Sequence, residues 1–183
     1  MLGNALGILE VNCIPVGIEA ADAMLKAADV ALATAQTACA GKYIVIVSGG
    51  VAEVKSSVEA GGAAARETLV DSVVIPNVDP QVIRAVSACT EHEHYEALGI
   101  VETFSLVSAV LCADTAVKAA SVSLIEVRLG RGLGGKSFVT LTGSVAAVQF
   151  AVDSAACMEE VQGMVSRAVV IPSPHPDIMK AVL

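Results

Sequence analysis

The sequence is poor in aromatics and in charge. Aromatic residues make up 3% of the 183 positions, tryptophan is absent, and only 16% carry a formal charge. With 55% apolar residues, this composition excludes a disordered chain, which is poor in apolar residues and rich in charge. Long apolar runs are missing as well. The longest uncharged stretch, Ser137 to Val152, is 16 residues long and is broken by Thr, Ser, Gly and Gln. A helix that spans a bilayer needs about 20 mostly apolar residues, so no span is expected despite a mean hydropathy of +0.71. No run of Lys and Arg occurs and the net charge is −8, which argues against nucleic-acid binding. Met1-Leu2-Gly3-Asn4-Ala5 has no basic segment of a secretory signal, so an intracellular protein is expected. The five cysteines, Cys13, Cys39, Cys89, Cys112 and Cys157, include no CxxC and no finger spacing. In a reducing cytosol they read as free thiols, mostly small apolar packing residues.

What is present is a duplication. Ala5-Leu6-Gly7-Ile8-Leu9-Glu10 returns as Ala97-Leu98-Gly99-Ile100-Val101-Glu102. Ala21-Asp22 and Lys26-Ala27-Ala28 return as Ala113-Asp114 and Lys118-Ala119-Ala120, Gly41-Lys42 as Gly135-Lys136, and Val73-Val74-Ile75-Pro76 as Val169-Val170-Ile171-Pro172. Between the copies 12 of 28 residues are identical over 5–32, 8 of 18 over 41–58 and 7 of 14 over 73–86. Two copies make a duplicated domain rather than a solenoid. The division expected is a first domain over 4–87, a polar and acidic linker over 88–95, and a second domain over 96–183. So little charge on so short a chain also points to surface covered by other subunits, since obligate interfaces are apolar.

The first copy predicts strand Leu6 to Val11, helix Pro15 to Ala28, and strand Val30 to Cys39. Strand Tyr43 to Val47 follows. Val51, Val54 and Val58 are apolar at helical spacing and predict a second helix after the Gly49-Gly50 turn. Strand Leu69 to Ile75 ends at Pro76, and Asp79-Pro80 opens a short helix, Gln81 to Val86. The order β-α-β-β-α-β-α is an α+β unit, helices against a mostly antiparallel sheet, ferredoxin-like.

Strand Leu-Gly-Ile-x-Glu, helix Ala-Asp-x-x-x-Lys-Ala-Ala, Gly-Lys before a β run, Gly-x-Val-x-x-Val opening a helix and a closing Ile-Pro together resemble the bacterial microcompartment shell domain. The tandem arrangement resembles the trimeric shell proteins with two such domains per chain. Segment Thr37-Ala38-Cys39-Ala40-Gly41-Lys42, with Gly99-Ile100-Val101-Glu102-Thr103 opening the second copy, is most similar to those of the propanediol-utilisation type. The resemblance implies a homotrimer of six domains with a pore on the three-fold axis, tiled with other shell proteins around enzymes in the cytoplasm. It implies a pore lined by Ala38, Cys39, Ala40 and Gly41, with Arg131, Gly132, Leu133 and Gly134 of the second copy. It also implies a [4Fe–4S] cluster, one per trimer, held by three Cys39 thiolates, with a redox enzyme in the lumen as partner. By spacing alone, one Cys per chain is a weak metal signal and fits a small side chain in a tight turn equally.

Lys26 and Lys118 stand at equivalent places on the first helix of each copy, where the resemblance implies tile-edge residues. The domain often carries Arg between its two closing prolines; here Asn77 and Ser173 stand there, which puts that edge contact in doubt. Gly130-Arg131-Gly132-Leu133-Gly134-Gly135-Lys136-Ser137 matches the phosphate-loop pattern GxxxxGK[ST]. That loop needs a helix directly after it, and a strand pattern, Phe138 to Thr142, follows instead. His92 and His94 in Glu91-His92-Glu93-His94-Tyr95-Glu96 look like a metal tract but sit in the expected linker. No nucleophile–base pair or carboxylate dyad is recognisable, so no catalytic residue and no enzyme activity is expected. Glu10, Glu102, Asp22 and Asp114 recur in both copies, which argues structure. The readings left open are the cluster-bearing tile, the same tile with an empty pore passing small metabolites, and a soluble sensor that binds a ligand.

Overall fold

The computed structural model describes residues 4–87, 90, 95–130 and 132–182. Each copy follows the predicted order. The first has β1 (Ala5–Val11), α1 (Ile14–Ala27), β2 (Ala31–Ala38), β3 (Lys42–Gly49), α2 (Val51–Ala65), β4 (Leu69–Pro76) and α3 (Pro80–Ser87). The second has β5 (Ala97–Thr103), α4 (Leu106–Ala119), β6 (Ser123–Leu129), β7 (Ser137–Gly143), α5 (Val145–Ala156), β8 (Val165–Pro172) and α6 (Pro176–Val182). The sheets have the same order, β2-β3-β1-β4 and β6-β7-β5-β8, with every neighbouring pair antiparallel. Even the irregularities repeat: the register slips between Leu32 and Thr34 and again between Leu124 and Glu126. A β-bulge is a designed feature rather than a defect, and its recurrence in both copies is further evidence of duplication.

The compact units are Met1–Val78 with Gly130–Gly135, and Asp79–Leu129 with Lys136–Leu183. They cut the chain differently from the sequence copies. Helix α3, which ends the first copy, lies on β6 and α4 of the second unit. The glycine-rich loop of the second copy belongs to the first unit.

In the first unit α1 and α2 close one face of the sheet. Leu9, Val11, Val45 and Val47 meet Ala20, Ala21 and Met24 of α1 and Val54 and Val58 of α2 in a core of buried side chains. The shared Leu-Gly-Ile motif has a packing cause. A Cβ on Gly7 would stand 2.7 Å from methyls of Val54 and Val58, and one on Gly99 2.8 Å from Val152 and 2.9 Å from Val148. A side chain there would push the second helix of each copy off its sheet. In the second unit Leu98, Ile125 and Met179 form a smaller buried cluster with Tyr95, Ile100 and Ile171 around it. The second copy caps its helices better. Ser105 Oγ accepts from the Ser108 amide and Ser144 Oγ from that of Ala147, where the first copy has Cys13 and Gly50. Among the described residues no helix is long and apolar enough to cross a membrane.

Candidate functional site

Cys39 leaves β2 one residue after its last strand residue, Ala38. The chain then reverses through Ala40 and Gly41, both at positive φ (63° and 72°), before Lys42 starts β3. Left-handed central residues match the twist of an antiparallel hairpin, and Gly supplies one of them without cost. Ala40 and Gly41 are exposed and Cys39 is half-buried.

The glycine loop of the same unit lies along this turn. The Cys39 amide donates to Gly130 O at 2.7 Å, and the Gly132 amide donates to Cys39 Sγ at 2.8 Å. Gly130, Gly132, Gly134 and Gly135 all have positive φ, so the Gly-x-Gly-x-Gly-Gly spacing is what lets this backbone fold against the turn. Gln36, Thr37, Ala38, Cys39 and Gly132 line an open recess of about 340 Å³. The structure therefore brings Ala38, Cys39, Ala40, Gly41 and Gly132 together. Leu133 is half-buried and Gly134 exposed on the same loop, while Arg131 lies outside the described residues.

A cluster at this place would meet one thiolate per chain. Among the described residues no group of three or more His, Cys, Asp or Glu is placed to hold a metal ion. The kind of donor fits: an accessible sulfur between small neighbours, with a backbone N–H aimed at it, and hydrogen bonds to ligand sulfurs tune such clusters. The number does not fit a single chain, so further thiolates would have to come from further copies. The other described cysteines are elsewhere. Cys112 is fully buried with its Sγ 3.5 Å from Ala155 O, and burial pushes its thiol up to about 12. Cys13 is half-buried and Cys157 exposed. The tract Glu91 to His94 and Cys89 lie outside the described residues.

The phosphate-loop pattern fails its context test, because β7 begins at Ser137 where a helix is required. Lys136 is also engaged. Its ammonium sits 2.8 Å from Glu102 and 5.4 Å from the centre of the Phe104 ring. The first copy has the same pair, Lys42 and Glu10 at 2.6 Å. Sequence reasoning noted the recurring glutamates without their lysine partners; the shared Gly-Lys at 41–42 and 135–136 was the available signal. Lys26 and Lys118 each reach back one turn, to Asp22 at 2.6 Å and Asp114 at 2.5 Å. The first pair is exposed, whereas Asp114 is nearly buried and also accepts from the Asp79 amide. Asn77 and Ser173 both take positive φ, 50° and 48°, at the reversal after each closing strand.

The BMC domain model matches residues 5–78 and again 97–174. The chain belongs to the bacterial microcompartment (BMC) domain family. Its two BMC domains stand in tandem, and it is a structural shell protein of a bacterial microcompartment, located in that shell within the cytoplasm. It is 39% identical to the microcompartment shell protein PduT of Citrobacter freundii, over 95% of each chain. It is 31% identical to the carboxysome assembly protein CcmO of Synechococcus elongatus, over 96% of this chain and 67% of that one. The crystal structure of a microcompartment protein from Desulfitobacterium hafniense superposes with a TM-score of 0.89 at 51% identity, covering 96% of this chain and 98% of that one.

Proposed function

We propose that this BMC shell protein is a trimeric, non-enzymatic tile whose three Cys39 thiolates meet at the central pore and hold one [4Fe–4S] cluster. The observation that carries the reading is the Cys39 turn: a half-buried sulfur opening a three-residue reversal, with the Gly132 amide on it. The similarity to the shell protein PduT supports the tile itself. Three thiolates would leave one iron of the cluster without a cysteine ligand. Bound there, the group would supply one-electron chemistry at the shell, with a redox enzyme in the lumen as the partner served. In this reading Cys39 holds the metal, the Gly132 amide stabilises charge on the sulfur, and Ala38 and Ala40 keep the approach open.

The test is anaerobic loading with iron and sulfide, followed by visible absorbance and metal analysis. About four irons per three chains are expected, with a broad brown absorbance. Cys39→Ser should lose both, because a hydroxyl is a far poorer ligand for iron than a soft thiolate. If wild type binds no iron, the tile has an empty pore that passes small metabolites. Lys26 and Lys118 are proposed as tile-edge residues: Lys26→Ala and Lys118→Ala should leave the trimer intact and reduce the sheets seen by electron microscopy.

A further inference from the structure

The two copies reverse at the same place with loops of different length. Between Ala38 and Lys42 the first uses three residues; between Leu129 and Ser137 the second uses seven. The added length reaches the Cys39 turn. The loop belongs to the first unit, its ends Gly130 and Gly135 are buried, and Gly132 is exposed. Its glycines do not serve to make room, since a Cβ on Gly132 or Gly134 would meet nothing within 4 Å. They supply the left-handed backbone that aims the Gly132 N–H back at Cys39 Sγ.

That loop rests on a charged pair. A Cβ on Gly135 would stand 3.8 Å from the Cys39 carbonyl oxygen and 3.9 Å from Cε of Lys42, so the returning backbone lies on the lysine stem. Lys42 stands across the hairpin from Ala38, the residue before Cys39. Its ammonium is held 2.6 Å from Glu10, and the two side chains are 17% and 0% exposed. The same pair in the second copy, Lys136 and Glu102, is 39% and 38% exposed. The buried pair is thus in the copy that carries the cysteine. Contacts run from Glu10 through Lys42 and Gly135 to the loop, and from the Gly132 amide to the sulfur. A neutral thiol is a weak acceptor, whereas a sulfur that carries negative charge is a strong one.

We propose that Glu10, Lys42 and Gly135 are positioning residues for Cys39. They mount the Gly130–Gly135 loop so that the Gly132 amide stays on the sulfur, and this donor raises the reduction potential of the iron–sulfur group held there. The inference rests on the cluster-bearing reading above and adds what sets its potential. Reduction takes one electron from the redox partner, breaks no bond, and adds one negative charge shared by the ligand sulfurs. An N–H dipole on such a sulfur stabilises the reduced form more than the oxidised one. In a trimer each chain brings its own loop, so three donors act together.

The experiment uses the full chain, loaded anaerobically with iron and sulfide and titrated with redox mediators while visible absorbance is followed. Circular dichroism and light-scattering mass check the fold. Glu10→Gln combined with Lys42→Met removes both charges at once, so none is stranded in the interior. It should shift the reduction equilibrium about tenfold toward the oxidised form, about 59 mV for one electron. Gly132→Ala, which displaces the amide, should shift it in the same direction. Lys42→Arg, which keeps the pair, should titrate like wild type. Gly163→Ala is the control for backbone strain: it stands at φ +78° with nothing within 4 Å, in the turn before β8, and should leave the potential unchanged. If the double variant does not fold, Gly135→Ala replaces it, since it disturbs the mount at φ +88° without touching the pair. A wild-type potential in Gly132→Ala, or in the variant of the mount, would overturn the inference and leave the cluster reading intact. A wild type that takes up no iron would overturn both.

Discussion

Lys42 holds its ammonium 2.6 Å from the carboxylate of Glu10, whose side chain has no solvent exposure. The second copy repeats the pair as Lys136 and Glu102 at 2.8 Å, but there both side chains are more than a third exposed. One motif, strand Glu and hairpin Lys, therefore sits in two dielectric settings. Removing one partner of a buried pair strands a charge away from water, whereas an exposed pair is screened.

Lys42→Met should accordingly destabilise the protein by about 3 kcal/mol. Lys136→Met should cost less than about 1 kcal/mol. Urea unfolding at fixed chain concentration separates the two; equal midpoints would show that the buried pair contributes nothing special.

Acidification should tell on the second pair. The hydrogen bond from Lys136, and then that from Ser166, hold the Glu102 carboxyl below its ordinary value of 4.5. A carboxylate with a depressed folded-state pKa stabilises the fold above its unfolded pKa and stops doing so as pH falls through the folded one. Glu102→Gln should therefore lower stability slightly at pH 6. The difference from wild type should shrink steadily below about pH 4.5. A difference that grows on acidification would refute the assignment.

Thiol reactivity should sort the cysteines. With its thiol pushed up to about 12 by burial, Cys112 stays protonated at neutral pH and should resist iodoacetamide in the folded protein. Exposed Cys157 should react. Its raised value also means that Cys112 favours the fold fully below pH 9, its unfolded value, and less so as pH rises beyond that. Mass spectrometry of labelled peptides reads the first effect and unfolding at pH 10 against pH 8 the second, with Cys112→Ala as the control.

Gly99→Ala should destabilise by about 1–3 kcal/mol, and Gly7→Ala by a similar amount, because each new methyl meets valines of the overlying helix within 3 Å. Thermal unfolding measures both. Gly132→Ala acts differently: nothing lies within 4 Å of the added Cβ, yet the backbone stands at φ +71°. Its cost should be strain of about 1 kcal/mol, with a displaced amide at Cys39 Sγ.

Much of this was legible in the residues. Val73-Val74-Ile75-Pro76 and its copy read as closing strands because β-branched runs and a terminal Pro act locally. Leu6 to Val11 declared itself as a mostly apolar run, and Val51 to Val58 by helical spacing. The turn around Cys39 was legible too, since Ala40-Gly41 between two strand patterns leaves the chain nowhere else to reverse. The contact of Gly132 with Cys39 was not. Gly132 stands 93 residues from Cys39, and no spacing rule links an amide to a sulfur across that distance.

The same limit divides everything known of this chain. Duplication, element order and family follow from the sequence itself, because they depend on identities and periods within a few dozen residues. Which copy of each feature is covered was decided only by the fold. Asp22 and Asp114 occupy identical motifs, yet one faces water and the other lies under the Asp79 amide. Burial is set by what long-range packing lays on top, and for Asp114 that is the segment leading into α3, which sits on the second unit rather than the first.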